Sequence, residues 1–104
     1  MSLAIHKQTI HEFKDFIPGF IEFTLELPQV IKYLDVQVNG GLPRLWILVD
    51  QHTPKTIHKF HVYGTGFDIP VKEAERLEYI ATYQHFNEQY KQDLVHHLFE
   101  VKNT

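Results

Sequence analysis

Over residues 21–27 the chain reads IEFTLEL, with apolar and polar residues taking strict turns. A helix gathers residues three and four apart, so this spacing gives it no apolar stripe. A strand alternates with period two, and places Ile21, Phe23, Leu25 and Leu27 opposite Glu22, Thr24 and Glu26. Similar alternation recurs in VIKYLDVQVNG, LPRLWILVD and TIHKFHVYG. The breaks between these runs fall at Pro18-Gly19, Pro28, Asn39-Gly40-Gly41 and Gly64-Thr65-Gly66. Proline cannot donate to a ladder, and glycine supplies the positive φ that tight turns need.

The remaining segments complete an all-β plan. An edge strand is expected over residues 4–9 and one turn of helix in IPVKEAERLEY, with Pro70 near its start. A strand follows in LEYIATYQ, then a polar loop or short helix in HFNEQYKQD, and a last strand in LVHHLFEV before a fraying KNT. Short connections favour antiparallel neighbours. The expected fold is mainly β: a single domain over residues 1–104, an antiparallel sandwich or curved sheet of six to seven strands with room for one short helix. Its expected core is Ile21, Phe23, Leu25, Leu34, Val36, Val38, Leu45, Ile47, Val49, Phe60, Val62, Ile80, Val95, Phe99 and Val101.

Composition removes several function classes. The net charge is −3 with histidines neutral, which is not the basic footprint that duplex nucleic acid demands. No cysteine is present, so disulfides and thiolate chemistry are excluded. No stretch has the roughly 20 apolar residues of a membrane span, and the first residues lack a signal-peptide core. A cytoplasmic protein without a membrane partner is the expectation.

The faces opposite that core are unusual. They carry Tyr33, Asp35, Gln37, Arg44, Trp46, His61, Tyr63, Tyr79, Tyr83 and His96, where a merely solvated face would carry Lys, Glu and Thr. Tyr, Trp and Arg dominate binding hot spots. The candidate binding residues are therefore Arg44, Trp46, His61, Tyr63, Thr65 and Tyr83. Their bland reading is burial by the chain's own loops or by a second protomer. His58 and His61 are three apart and diverge on a strand, as do His96 and His97, so neither pair forms a metal site. No metal or other cofactor is expected. The GTG motif is too short for a phosphate loop and reads as a turn. Ser2 is the sole serine, and no nucleophile, base and orienting group can be assigned from spacing, so no catalytic residue is named.

Taken in order, LDVQVNGGLPRLWILVD, VYGTG, LEYIATYQ and HHLFE resemble a family of short uncharacterised phage and prophage proteins. The shared pattern falls on Val36-Gln37, Gly41-Leu42-Pro43, Leu45-Trp46 through Asp50, the GTG turn, residues 79–82 and residues 97–100. Ala81 stands where that family tends to have glycine, and HFNEQYKQD is longer than its usual connection. The resemblance implies an accessory factor that binds host machinery or host defence stoichiometrically in the host cytoplasm.

Two modes follow from this expectation, in a protein expected to be a homo-oligomer. One is blocking a host protein. The other is sequestering a small anionic, nucleotide-like ligand, with Trp46, Tyr63 or Tyr83 stacked on the base and Arg44 and the backbone near Thr65 on phosphate. The rivals are a small nucleotide-processing enzyme with His61 or His97 as general base, and an assembly protein whose aromatic face is an oligomer interface.

Overall fold

The LPRLWILVD run becomes the middle of a three-stranded sheet, and Leu45, Ile47 and Val49 on its inner face are all fully buried. A computed structural model describes residues 2–10, 20–40, 42–87 and 91–102. The strands are β1 (Leu3–Thr9), β2 (Phe20–Leu27), β3 (Gln29–Asn39), β4 (Leu42–Asp50), β5 (Thr56–Gly64), β6 (Leu77–Asn87) and β7 (Gln92–Val101). A four-residue helix α1 (Val71–Ala74) follows Pro70. No helix among the described residues is long and apolar enough to cross a membrane.

One sheet has the order β1-β4-β3 and the other β2-β5-β7-β6, every pairing antiparallel. The two stack as a sandwich, the expected fold class. Val36, Leu45, Ile47 and Val49 from the first sheet meet Phe23, Phe60, Val62 and Leu98 from the second. Phe23 and Phe60 stack with ring centroids 5.1 Å apart, and Tyr33 meets Phe60 edge to face at 6.0 Å. Each large apolar side chain so buried contributes roughly 1.5–3 kcal/mol. The expected edge strand is β1, and the turn glycines behave as expected: Gly40 has φ +60° and Gly66 φ +91°.

Three expectations are corrected. Strand β3 bulges twice, at Ile31 and at Leu34, so its alternation restarts after each extra residue. Leu34 is therefore 43% exposed rather than in the core, while Tyr33 turns inward. Strand β7 runs in the opposite phase to that expected. Leu94, His96, Leu98 and Glu100 face inward, and Val95, Phe99 and Val101 are half-buried on the outer face. LVHHLFEV carries apolar residues at both parities, so either phase satisfies period two. Finally, β6 extends to Asn87 and β7 begins at Gln92, so most of HFNEQYKQD is strand rather than loop or helix. Of the KNT expected to fray, Lys102 is held by a 2.7 Å hydrogen bond from its N–H to the Arg76 carbonyl; residues 103–104, Gly41 and the expected turn at Pro18-Gly19 lie outside the described residues.

These phases can be checked by stability. Leu98→Ala should cost about 2–5 kcal/mol, as a buried Leu does, and Leu34→Ala less than about 1 kcal/mol. Urea unfolding midpoints would show it; equal losses at the two sites would contradict the assigned phases.

Candidate functional site

Inward-facing Leu45, Ile47 and Val49 force Arg44, Trp46 and Leu48 onto the outer face of the three-stranded sheet. Trp46 pairs in register with Lys7 on one side and Asp35 on the other, and Arg44 with Thr9 and Gln37. The Lys7 ammonium lies 5.7 Å above the Trp46 ring, within cation–π range. Leu3 is 47% and Ile5 61% exposed on the same face. The buried Arg44 Nε and Trp46 Nε1 have no hydrogen-bond acceptor among the described residues.

His61, Tyr63 and Thr65 lie on the outer face of the other sheet. His61 Nε2 is 2.8 Å from Glu22 Oε2, and Nδ1 is 3.1 Å from the Tyr63 hydroxyl. The hydrogen bond from His61 holds the Glu22 carboxyl below its ordinary range, while burial pushes the Tyr63 phenol up. Phe20 caps this pair, with its ring centroid 5.0 Å from both. Thr65 Oγ1 and Thr82 Oγ1 sit 2.8 and 2.9 Å from the two nitrogens of His97. A hollow of about 170 Å³ opens beside His61, between Glu22, Lys59, Glu73 and Arg76.

Tyr83 belongs to neither outer face. It is buried between the sheets, its ring 5.9 Å from that of His96, and its hydroxyl has no partner among the described residues. The six expected binding residues are thus divided: Arg44 and Trp46 on one outer face, His61, Tyr63 and Thr65 on the opposite one, Tyr83 inside. One small ligand cannot touch Arg44 and Thr65 together. The apparent single aromatic face came from adding strands of two different sheets.

Another polar constellation lies in a cleft of about 550 Å³ where β3 faces β5, β6 and β7. Both Ile31, the first bulge of β3, and Ile80, the bulge of β6, line it. An extra residue in each facing strand bends the ladders apart at that point. At its base is Glu100, only 6% exposed. The Tyr33 hydroxyl donates to Oε1 at 2.7 Å and Lys102 Nζ at 3.1 Å, while His58 Nδ1 meets Oε2 at 2.7 Å. Thr56 Oγ1 is 3.2 Å from His58 Nε2, and Lys102 also pairs with Glu78 at 3.2 Å. Burial pushes the Glu100 carboxyl up, but hydrogen bonds from His58, Tyr33 and Lys102 outweigh it and hold it below its ordinary range. Burial, reinforced by Glu100, pushes the Tyr33 phenol far up.

None of the residues expected to bind a ligand lines this cleft. His58 does diverge from His61, but it diverges inward, toward Glu100. The signal available in the sequence was LVHHLFE read in its other phase, which aims a carboxylate into the sandwich beside Leu94 and Leu98.

Residues 1–104 match the family model described as Domain of unknown function (DUF7352). The chain belongs to that family. No curated protein and no solved structure matches it. The DUF7352 description assigns no activity, so the geometry of this member carries the functional argument.

Two buried groups make this DUF7352 chain acid-sensitive. Burial, with His85 and His97 nearby, lowers the His96 pKa from 6.5 to about 4. The unfolded chain therefore binds the proton first, and stability is full above pH 6.5 and falls as the pH drops toward about 4. The complete loss is on the order of 3 kcal/mol. Glu100, with its lowered pKa, contributes stability above its unfolded value of 4.5 that is lost below it. Urea midpoints should fall continuously across this window, and a flat profile from pH 6.5 to pH 4 would contradict the buried neutral His96.

Proposed function

We propose that this protein is a phage-derived accessory binding protein that acts stoichiometrically, laying the outer face of β1-β4-β3 on a host protein in the host cytoplasm. The observation that carries the reading is the arrangement around Trp46. An indole and a guanidinium lie side by side on a sheet face, and farther along β1 on the same face Leu3 and Ile5 are 47% and 61% exposed. Exposed apolar residues sharing a face with Trp and Arg are the make-up of an interface. The phage context rests on the motif resemblance, and membership of the uncharacterised DUF7352 family is compatible with it.

Blocking a host protein is favoured over sequestering a nucleotide-like anion. The second mode needs Arg44 and the Thr65 turn in one site, and they occupy opposite sides of the sandwich. A second copy of the chain is the competing occupant of the Trp46 face, as an assembly protein would require.

The test is affinity capture from bacterial lysate with wild type and with the double variant Ile5→Asp, Trp46→Ala, the bound stoichiometry read by mass spectrometry. Wild type should retain one host protein in fixed ratio, and the double variant should lose it by roughly 30-fold or more, the size of a hot-spot loss. Phe67→Ala, on the opposite side, should retain it. Capture unchanged by the double variant would remove the proposal, and a wild-type homo-oligomer that the double variant dissolves, with no host protein bound, would replace it with the assembly reading.

A further inference from the structure

A carboxylate as buried as Glu100 is costly, and a wholly apolar set in place of it and its partners together is often as stable or more so. Its three donors compensate that cost but do not explain why a charge stands there. Such a group in a cleft marks a candidate for chemistry, and the hydrogen bonds have a direction. A carboxylate only accepts, so His58 Nδ1 donates to Glu100 Oε2 across 2.7 Å. That places the ring's other nitrogen, in the neutral imidazole, as the acceptor. At 3.2 Å from it stands the exposed hydroxyl of Thr56.

We propose that Thr56, His58 and Glu100 act as nucleophile, general base and orienting carboxylate, hydrolysing a small uncharged acyl ester held in the cleft. The proposal is independent of the Trp46 face. Strand geometry makes the arrangement: Thr56 and His58 are two apart and share the inward side of β5. Glu100 comes from β7, where it pairs with Phe60, the next inward residue of β5. Nucleophile, base and orienter within hydrogen-bond reach is the general signature of such chemistry. His61 also joins a hydroxyl to a carboxylate, but that hydroxyl is a phenol raised by burial, beside a hollow of only about 170 Å³. His97 has a threonine on each nitrogen and no carboxylate among those contacts.

The reaction balances with water alone. Thr56 Oγ attacks the ester carbonyl carbon as its proton passes to His58 Nε2. The bond to the leaving oxygen then breaks, and that oxygen takes the proton. Water attacks the acyl-threonine through the same base, releasing the carboxylic acid and restoring the hydroxyl. Lys32 and Lys102 line the cleft with Glu78 and Glu100, so cationic and anionic linings offset and an uncharged substrate enters without an electrostatic penalty. Val30 and Ile80 supply apolar wall for a short acyl chain. The cleft's volume is in the range of small-molecule sites.

The experiment follows hydrolysis of p-nitrophenyl acetate, butyrate and hexanoate by the full chain, with peptide mapping of the acyl group. Wild type should turn over at least one ester and carry the acyl group on Thr56. Thr56→Val, at an exposed position, should keep the thermal melt and fall to the buffer rate. Glu100→Gln should lower kcat by roughly 10²- to 10⁴-fold with little change in KM, as loss of an orienting carboxylate does. No acyl-Thr56 and no turnover across the series would overturn the proposal, as would Thr56→Val hydrolysing at the wild-type rate.

Discussion

The arrangement at the open end of the sandwich depends on one carboxylate. Glu100 lies on a strand of the four-stranded sheet and accepts a 2.7 Å hydrogen bond from Tyr33, which comes from the three-stranded sheet. His58 and Lys102 satisfy its other lone pairs. Apolar packing between sheets is non-directional and tolerates sliding. A hydrogen bond to a buried charge does not, because displacement leaves the charge unpaired at a cost of several kcal/mol. The contact therefore fixes where β3 sits against β7, with the bulges of β3 and β6 bordering the cleft that results.

That geometry separates the molecule's three polar regions. The Trp46 face is the proposed protein-binding surface. On the opposite face, His61 and His97 have their ring nitrogens engaged by Glu22, Tyr63, Thr65 and Thr82, which suits a structural role in holding β2, β5, β6 and β7 in register. Between the sheets, the Glu100 cleft has what neither surface offers: a volume of about 550 Å³ around a directed chain of hydrogen bonds. The proposed binding on one face and the proposed chemistry at one end occupy different surfaces and would not compete.

Much of the architecture was legible because period two leaves few options. β2, β4 and β5 follow their alternation, and the glycines at positions 40 and 66 sit at the positive φ their turns require. What was not legible has physical causes. A bulge adds one residue without a composition signal, so Leu34 was read as core when the second bulge of β3 had turned it out. β7 has apolar residues at both parities, so only the partner sheet decides that Glu100 and His96 point inward. The candidate site suffered most. Arg44 and Tyr63 look alike as outward residues of successive strands, yet β4 and β5 belong to different sheets. Residues facing away from a core share a surface only if their strands share a sheet, and strand order is not written in local alternation.

The most direct test of this account is a double-mutant cycle in urea between Tyr33→Phe and Glu100→Gln. Removing the phenol hydroxyl leaves the ring on Phe60 in place, so the cycle isolates the hydrogen bond between the sheets. A coupling energy of about 1–3 kcal/mol is the predicted result. Losses that add within roughly 0.3–0.5 kcal/mol would mean that Tyr33 and Glu100 act independently, and that the carboxylate does not hold the two sheets in place.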